Sequence, residues 1–594
     1  MASTVRTTDT LKQLGRYVIR QPVRLGLVSL CTAGAAALTL LAPYLLGAAL
    51  DDYIIPGKRE GLLRLCFIML GMYALSSLAG WLQAFILADV SQRTVWGLRR
   101  DLFAHLQKLP LSFFASRNQG ELMSRTTNDI DNVSNTLNQS LVQLISSVIM
   151  LVGSFTMMLV LNVWLTLVAL VIIPLIVFVT KRIARVTQRQ FKGQQQELGA
   201  LNGFIEETVS GHKIVALFHQ EERAGIEFRE TNERLRKAGT RAQIYSGMMG
   251  PMMNLMGHVS YLLIAAAGAW LALRDLATVG VIISFLAYSK QFSGPLNEVA
   301  NQYNLIQAGV AGAERVFETM AVPSEYDDHA NGGETLRMRL PDEVKGRVEF
   351  RKVCFQYAPG KETLTDISFT AEPGQTVALV GPTGAGKTTI IQLIGRFFDP
   401  TEGQIWLDGQ NIAEIDKDSL RSKLGIVLQD AHLFTGTIRD NIRYGRLDAS
   451  DEEVETAAVQ ANAHPFITAL PGGYDTVLTA EGGNVSHGQR QLITIARAIL
   501  ASPAILILDE ATSSVDTLAE LHIQQAMKTL LHGRTSFVIA HRLSTIRGAD
   551  IILVVKDGEI AERGSHEQLL KLGGLYAELH GKQFAEEEDE KALV

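Results

Sequence analysis

The stretch TVALVGPTGAGKTTIIQLI, Thr376–Ile394, joins a short apolar run to a glycine-rich loop and then to a second apolar run. Residues Gly381–Thr388 match the pattern G-x-x-x-x-G-K-[ST] at every fixed position. Glycines allow backbone N–H groups to wrap around phosphate oxygens, and the N-terminus of the helix that follows adds partial positive charge. A chance glycine loop would lack the strand before it and the helix after it. The stretch therefore predicts a phosphate-binding loop in an α/β domain.

The residues of this loop, called the phosphate loop below, have separate expected contacts. Lys387 is predicted to reach the β- and γ-phosphates of a nucleotide, and the hydroxyl of Thr388 is predicted to hold Mg²⁺. The rest of the predicted cradle consists of Gly381, Pro382, Thr383, Gly384, Ala385, Gly386 and Thr389. ATP and Mg²⁺ are therefore the predicted cofactors.

A second acidic motif follows further along the chain. The run Ala504–Asp509 has no polar residue before Asp509, and Glu510 comes next. Such a run predicts a buried strand that brings Asp509 to its carboxyl end, where ligands of open α/β sheets bind. Asp509 is a predicted Mg²⁺ holder, and Glu510 is placed to orient or deprotonate an attacking water.

The C-terminal half alternates short β-branched runs with helical ones over residues 347–582. This alternation is typical of an α/β domain with a largely parallel sheet. The preceding segment, residues 321–346, is polar and contains Pro and Gly, and it is predicted to be a linker. Residues 583–594 form an acidic tail that is predicted to be disordered.

The N-terminal half contains six apolar stretches of about 20 residues, the length that crosses a bilayer. They lie at residues 25–50, 62–88, 141–161, 164–180, 248–273 and 279–299. A tight turn at Asn162–Val163 separates the third from the fourth. The sixth contains Lys290 and Glu298, so an amphipathic helix beside the membrane is the alternative for it. We predict a six-span membrane domain over residues 25–320, preceded by a polar N-terminal segment, residues 1–24.

Basic residues set the expected orientation of these spans. They cluster between spans two and three, as at Arg99, and between spans four and five, as at Arg185. Because positively charged loops stay in the cytoplasm, both termini are predicted to be cytoplasmic. Both basic segments also have a helical pattern and are predicted to continue the spans below the membrane.

Composition bears on partners and on redox chemistry. The net charge of −6 is small for 594 residues, so no nucleic-acid partner is predicted. The three cysteines, Cys31, Cys66 and Cys354, are too few for a disulfide framework and are predicted to be small buried hydrophobic residues. The N-terminus does not match a cleavable signal peptide, because its first apolar run is too long.

The phosphate loop, the acidic strand and the six apolar stretches together resemble an ATP-binding-cassette (ABC) exporter that fuses a membrane domain to one nucleotide-binding domain. The resemblance covers nearly the whole chain. It implies a membrane α-helical domain of six transmembrane helices followed by an α/β P-loop NTPase domain. Two loops of the membrane half, residues 112–131 and 206–222, resemble the family's segments that carry short coupling helices.

The resemblance also implies roles for residues outside the two motifs. Tyr357, in VCFQYAPG, matches the aromatic residue that stacks on adenine, and Gln429, in GIVLQD, matches the glutamine that contacts Mg²⁺. His541, in IAHRLST, matches the switch histidine that contacts the γ-phosphate. The strand before it, TSFVIA, is expected beside the acidic strand. Glu481 resembles the acidic residue before the family signature, and Asp516 matches the end of the loop after the carboxylates.

The stretch NVSHGQRQL, residues 484–492, lies where the family signature reads L-S-G-G-Q. Ser486 is predicted to cap the helix that follows. The family pattern implies that Ser486, Gly488 and Gln489 close over a nucleotide held by a second chain. Two chains with two shared ATP sites are therefore expected.

His487 replaces a glycine of this signature. It is expected to weaken closure, or the fit to the transition state, at the site that the signature completes. Because Glu510 is intact while the signature is altered, we favour a heterodimer in which one site hydrolyses ATP and the other mainly holds it. A homodimer that tolerates the histidine is the alternative.

The resemblance implies ATP-driven export of amphipathic or hydrophobic compounds across the membrane, with a second half-transporter subunit and membrane lipid as partners. A bacterial inner membrane is the expected location. A lipid flippase homodimer and, further away, a nucleotide-gated channel or sensor are the alternatives. Five methionines in span five suit either promiscuous apolar binding or helix packing; they are Met248, Met249, Met252, Met253 and Met256.

Overall fold

The computed structural model describes residues 7–326, 338–358, 360–429, 431–479, 482–509, 517–540 and 543–583. The chain divides into two compact units, Met1–Gln107 with Gln119–Val322, and Lys108–Asn118 with Pro323–Val594. We call them the membrane unit and the nucleotide unit. The segment Lys108–Asn118 groups with the nucleotide unit, where the backbone N–H of Glu325 donates to the carbonyl oxygen of Lys108 at 2.7 Å. The domain boundaries drawn from the sequence, including the linker, stay predictions.

The first part of the chain is helical from Thr7 to Met320 with short interruptions. Its helices are α1 Thr7–Ile19, α2 Pro22–Ala48, α3 Arg59–Leu106, α4 Leu111–Ala115, α5 Gln119–Ser124, α6 Ile130–Asn135, α7 Leu141–Leu161, α8 Val163–Ser210, α9 His212–Leu217, α10 Glu221–Gly247, α11 Met249–Ala272 and α12 Val279–Met320. Three π-helical turns, Ala49–Ile54, Arg125–Asp129 and Thr136–Ser140, connect or extend them. The long helices α3 and α8 confirm that the basic segments continue the spans, and short helices α4 and α9 lie in the two loops that resemble coupling segments.

All six apolar stretches are helical. Among the described residues, four helical stretches are long and apolar enough to cross a membrane: Pro22–Ile54, Arg59–Leu106, Gln119–Leu161 and Glu221–Ala272. The fourth apolar stretch of the sequence lies in α8, and several of its side chains fall outside the described residues. In α12 the apolar stretch found among the described residues is Val279–Phe292, and several side chains beyond Phe292 fall outside them. The count of six spans therefore stays a prediction, whereas the apolar helical character is confirmed.

Side-chain caps fix where two of the membrane-unit helices begin. Asn162 is extended, and its Oδ1 accepts a hydrogen bond from the backbone N–H of Leu165 at 3.1 Å, so the predicted turn before α8 is confirmed. At the start of α12, Asp51 Oδ1 accepts from the N–H of Gly280 at 2.8 Å, and the hydroxyl of Thr278 donates to Asp51 Oδ2 at 2.5 Å. These bonds satisfy N–H groups that have no partner within the helix.

Helix α12 lies close to the segment that precedes α7. A Cβ on Gly309 would lie 2.0 Å from Oγ1 of Thr136, so only glycine permits this approach. The Thr136 hydroxyl donates to the carbonyl oxygen of Leu305 at 3.0 Å, and Arg315 Nε donates to Asp129 Oδ2 at 2.9 Å. These contacts hold the lower half of α12 against residues 129–140.

The outer faces of the membrane-unit helices carry exposed apolar side chains, for example Leu30, Phe67 and Trp81. Lipid solvates such side chains without burial in protein, as expected for spanning helices. The prediction that all three cysteines are buried is wrong. Cys66, on α3, is exposed, and Cys31 and Cys354 are partly buried.

The nucleotide unit is an α/β structure. Its elements are β1 Val348–Ala358, β2 Lys361–Ala371, β3 Thr376–Val380, α13 Lys387–Ile394, β4 Glu402–Leu407, β5 Gln410–Asn411, α14 Lys417–Arg421, β6 Leu424–Val427, β7 Gly436–Thr437, α15 Ile438–Arg443, α16 Asp451–Gln460, α17 His464–Ala469, β8 Val477–Leu478, α18 His487–Ala501, β9 Ile505–Asp509, α19 Thr517–Leu531, β10 Thr535–Ile539, α20 Leu543–Arg547, β11 Ile551–Lys556, β12 Glu559–Gly564, α21 His566–Leu572 and α22 Leu575–Gln583.

Two sheets form the framework of this unit. The larger has the strand order β12-β11-β3-β10-β9-β6 and is parallel except for β12, which confirms the largely parallel sheet. The smaller is antiparallel, in the order β2-β1-β4-β5. Along β9, Ile505 and Ile507 face a core shared with the smaller sheet, whereas Leu506 and Leu508 face a core shared with α15–α19. The larger sheet is thus buried on both faces, which explains its continuous apolar strands.

Candidate nucleotide-binding site

The phosphate loop connects the end of β3 to the start of α13. Gly386 has a φ of +105° in the left-handed region, and no side chain caps the helix there. A Cβ on Gly386 would lie 2.6 Å from Cδ2 of Leu364, whereas a Cβ on Gly384, with a φ of +83°, would meet nothing within 4 Å. The first N–H groups of α13 have no partner within the helix and no capping side chain. The loop therefore offers N–H groups to an anion.

Lys387 lies inside the concave side of this loop. Its Nζ donates hydrogen bonds to the carbonyl oxygens of Gly381 at 2.7 Å and Pro382 at 2.9 Å. The residue is 8% exposed, and this burial lowers the pKa of the ammonium group, while the negative charge of Asp509 acts in the opposite direction. A buried cation next to unpaired N–H groups is suited to bind phosphate oxygens.

A cavity of about 910 Å³ opens at this loop. It brings together nine of the residues named from the sequence: Tyr357, Thr383, Gly384, Gly386, Lys387, Thr388, Thr389, Gln429 and Asp509. The volume suits a ligand of nucleotide size. The hydroxyl of Thr388, the carboxylate of Asp509 and the amide of Gln429 supply the oxygen donors that Mg²⁺ prefers. The residues present therefore fit both ATP and Mg²⁺.

Tyr357 stands at the rim of the cavity, at the end of β1. Its hydroxyl donates to Oε1 of Gln392 at 2.7 Å and lies 3.1 Å from Oγ1 of Thr389, so it is tied to α13. Phe355 and Phe398 contact the ring edge-on, with centroids 4.8 Å and 5.2 Å away. The residue is 53% exposed. A fixed, half-exposed aromatic ring provides a stacking surface for a base.

The acidic side of the cavity lies at the carboxyl ends of neighbouring strands. Asp509 ends β9, and β10 pairs with β9 so that Ile539 lies opposite Asp509. This confirms the predicted neighbourhood of the TSFVIA strand and the acidic strand. Gln429 follows β6, which pairs with the other side of β9.

Four residues named from the sequence lie outside the described residues: Glu481, Glu510, Asp516 and His541.

Sequence reasoning missed six residues that line the cavity: Lys361, Glu362, Thr363, Ile539, Asp557 and Gly558. Asp557 and Gly558 form the turn between β11 and β12, and both have positive φ, 50° and 84°. An Asp-Gly pair between two apolar runs is a strong hairpin signal that would have located the turn. Its position beside the phosphate loop had no local signal. The N–H of Gly558 donates to the carbonyl oxygen of Ala385 at 3.3 Å, so the turn braces the loop.

Ser486 caps the start of α18, as the sequence predicted. Its Oγ accepts from the N–H of Gln489 at 3.3 Å, and Oε1 of Gln489 accepts from the N–H of Ser486 at 3.0 Å. This reciprocal capping box satisfies two N–H groups of the helix start. Among the described residues that line the 910 Å³ cavity, none belongs to α18 or its cap. The placement of Ser486, Gly488 and Gln489 over a second chain's nucleotide stays a prediction.

His487 is the first residue of α18. It is not among the non-glycine residues with positive φ, so its backbone does not require a glycine. Its ring is partly buried, and Nδ1 is a buried atom without a hydrogen-bond partner among the described residues. The histidine therefore causes no backbone strain within the chain. Any cost of replacing glycine arises from what approaches the side chain.

The chain matches two family models. The model for the ABC transporter transmembrane region matches residues 25–296, and the ABC transporter model matches residues 364–513. An uncharacterized ABC transporter ATP-binding protein of Bacillus subtilis is 47% identical over 578 residues, which are 97% of this chain and 95% of the relative.

Two named relatives are similar over most of their length. A fatty acid ABC transporter ATP-binding/permease protein of Mycobacterium bovis is 44% identical over 512 residues, 86% of this chain and 80% of the relative. An ATP-dependent lipid A-core flippase of Syntrophus aciditrophicus is 36% identical over 579 residues, 98% of this chain and 95% of the relative. The chain therefore belongs to the ABC transporter family, as an integral membrane half-transporter that binds ATP and couples its hydrolysis to translocation.

Proposed function

We propose that the chain exports amphipathic or hydrophobic compounds of the multidrug type, as one half of a dimer with two composite ATP sites. One observation supports the proposal that each ATP site is shared between two chains. The cavity contains the phosphate loop, Tyr357 and Asp509, but no described residue of α18 lines it. Each site is therefore incomplete in one chain, and a Ser486-capped helix from a second chain would complete it.

The proposed roles within the site follow the positions of the side chains. Lys387 and the N–H groups at the start of α13 bind the phosphates, and Tyr357 stacks on the adenine. Thr388, Gln429 and Asp509 hold Mg²⁺, which supplies charge neutralisation at the phosphates when it is bound. Glu510 is the proposed base for the attacking water, His541 is the proposed contact of the γ-phosphate, and Asp516 is a proposed nucleotide-binding residue.

We further propose a heterodimer in which the composite site that contains His487 is degenerate. The support is chemical. An imidazole at this position presents a bulky side chain to the approaching chain, and its buried Nδ1 has no partner among the described residues. The rest of this chain's own cradle is regular. A partner with a regular signature would then complete the active site formed by Glu510.

Replacing His487 tests this proposal. Purified without a partner, the chain is expected to hydrolyse ATP slowly, because both sites of a homodimer then contain His487. His487→Gly is expected to raise that turnover about tenfold, since a transition-state contact regained at such a site is worth at least that much. Turnover is measured as phosphate release by the full-length chain in detergent and in liposomes.

His487→Ala is the matched control for this experiment. Because the backbone of residue 487 is helical, alanine removes the imidazole as well as glycine does, and both variants are expected to behave alike. Unchanged turnover in both variants would contradict the degenerate site and favour the homodimer. Faster turnover with glycine alone would show that backbone freedom matters instead of side-chain bulk.

A lipid flippase is the second candidate. The two named relatives, a fatty acid transporter and a lipid A-core flippase, support it, because both names specify lipids. Uptake of a fluorescent cationic dye into inside-out vesicles is the expected result for a multidrug exporter. Translocation of a labelled lipid in liposomes, without dye uptake, would favour the flippase. ATP hydrolysis with neither movement would favour a nucleotide-gated channel or sensor.

The proposed location is the inner membrane of a bacterium, with both termini in the cytoplasm. The relatives described above are bacterial proteins, and the basic residues lie in the two long helical extensions. In a Lys192→Cys variant, the new cysteine lies in the extension of α8. In intact cells it is expected to react only with thiol reagents that cross the membrane.

A further inference from the structure

A second cavity, of about 560 Å³, lies within the membrane unit between α3, α12 and the start of α7. Its lining is rich in side-chain amides, from Gln83, Gln92, Asn138, Gln139, Gln143 and Gln302. Its remaining neutral lining is small or aliphatic, as at Leu87 and Val142. Gln83 and Gln143 lie within the apolar stretches at residues 62–88 and 141–161, and the other four amides lie just beyond the ends of such stretches. Polar side chains within spanning helices are costly and usually face a functional site. Their convergence on one cavity therefore indicates a binding site for a partly polar ligand.

Glu298 gives this cavity its charge. Among the described residues that line it, Glu298 carries the one charged side chain, and no lysine or arginine is present. The basic side chain nearest in sequence to the α3 lining is Arg93, whose Nε donates to Oδ1 of Asp89 at 3.0 Å. A carboxylate that has no basic side chain beside it in the described lining of its cavity attracts a cation and repels an anion.

Gln302 adds a second, independent observation. It is 5% exposed, and its Nε2 donates to Oε1 of Glu298 at 2.5 Å. Its own Oε1 is buried and has no hydrogen-bond partner among the described residues. A buried acceptor without a partner is costly, and a ligand that donates an N–H would satisfy it. Glu298 and Gln302 lie one helical turn apart on α12. One ligand can therefore donate hydrogen bonds to both the carboxylate of Glu298 and Oε1 of Gln302.

We propose that this cavity is the substrate site of the exporter and that it takes amphipathic monovalent cations that carry N–H groups, such as protonated amines. The cation pairs with Glu298, an N–H group bonds to Oε1 of Gln302, and the apolar body lies against Leu87 and Val142. A ligand headed by a carboxylate or phosphate is disfavoured, because its charge would face Glu298 without a compensating cation. This proposal rests on the export function proposed above, and it names the substrate class.

Equilibrium binding to the full-length chain in detergent tests the proposal without requiring transport. The probe is ethidium, a fluorescent cation with two amino groups, and oleate is the anionic comparison. Wild-type protein is expected to bind ethidium, and Glu298→Gln is expected to weaken that binding about tenfold or more, as loss of a charge-assisted hydrogen bond implies. Gln143→Leu changes a lining residue that is exposed in the chain and is expected to weaken binding several-fold without affecting folding.

Glu318→Gln is the matched control, since Glu318 lies on the same helix but 20 residues beyond Glu298. Its ethidium affinity is expected to equal that of the wild type. Equal ethidium affinity in wild type and Glu298→Gln, or tighter binding of oleate than of ethidium, would overturn the assignment.

Transport assays separate this proposal from the export function. Ethidium binding that depends on Glu298, without ethidium uptake into inside-out vesicles, would support the cation-binding site but contradict the export function. Oleate transport by a protein that does not bind ethidium would support export but contradict the cation-binding site.

Discussion

Two helices of the nucleotide unit begin at motifs that suit phosphate, but they begin differently. Helix α13 starts after Gly386 in the left-handed region, and no side chain caps it. Helix α18 starts with Ser486 and Gln489 in a reciprocal capping box. The first helix leaves its N–H groups to a ligand, whereas the second satisfies two of them itself. A helix N-terminus is therefore an anion site only to the extent that its own cap leaves donors free.

The surroundings of the two helix starts also differ in how open they are to a ligand of the same chain. The start of α13 opens into the cavity that holds Lys387 and Asp509. The start of α18 is supported from behind, where Arg490 Nη1 donates to the carbonyl oxygens of Gly482 and Val485, each at 3.2 Å. One start is built to bind a ligand within its own chain. The other is a rigid surface that suits a ligand held elsewhere.

The largest expected effect comes from removing the ammonium group at the start of α13. Lys387→Ala is expected to weaken ATP binding about 100-fold, because charge-assisted hydrogen bonds to phosphate oxygens contribute about 3 kcal/mol in total. Binding of a fluorescent ATP analogue to the purified chain measures it. Lys528→Ala, on the exposed face of α19, is the control and should bind like the wild type. A loss below about fivefold for Lys387→Ala would remove its assigned contact.

Gly386→Ala tests whether the uncapped start of α13 depends on glycine. The left-handed φ and the close approach to Leu364 together are expected to cost about 2 kcal/mol of unfolding free energy. Thermal melting of the full-length chain without nucleotide measures the change.

Gly573→Ala is the control for backbone strain alone. Gly573 also has a left-handed φ, +62°, but a Cβ there would meet nothing within 4 Å. We expect about half the loss of stability and normal nucleotide binding. Equal melting temperatures for the two variants would show that the approach to Leu364 contributes nothing.

The smallest expected change in stability concerns the capped start. Ser486→Ala removes the cap of α18 and is expected to cost about 1 kcal/mol of unfolding free energy. ATP turnover is expected to fall as well, because the same serine would meet the nucleotide of the second chain. Melting temperature and phosphate release are measured on the same dimeric preparation.

Ser450→Ala provides a matched cap elsewhere in the same unit. Ser450 and Glu453 form the same capping box at the start of α16. The loss of stability is expected to equal that of Ser486→Ala, while turnover stays normal. If both variants lose turnover in proportion to stability, the Ser486 hydroxyl has only a structural role.

The nucleotide site was predictable where neighbouring residues create it. Gly381–Thr388 follow one another along the chain, so their spacing alone places N–H groups, an ammonium and a hydroxyl in one loop. Asp509 was predictable because an apolar strand in a parallel sheet delivers its last residue to the ligand edge. The Ser486 cap was predictable because capping depends on residues three apart.

The remaining parts had no comparable local signal. Strand β2, KETLTDISFTA, contains the charged residues Lys361, Glu362 and Asp366 and was not identified, although it forms one edge of the smaller sheet. The brace of the phosphate loop by Gly558 joins residues far apart in the chain, Ala385 and Gly558. The methionines of span five drew attention as a binding surface, but none of them lines the 560 Å³ cavity within the described part of the chain.

The sequence by itself determined the two kinds of domain, the phosphate loop, the acidic strand end and the serine cap, because each depends on periodicity or on residues a few positions apart. Only the tertiary structure decided that Gln83, Asn138 and Glu298 line one cavity. Those residues come from α3, from the π-helical turn before α7 and from α12, and α12 also lies against that turn at Gly309. Amide side chains spread over three separate segments of the chain give no periodic pattern, so packing had to bring them together before they indicated a site.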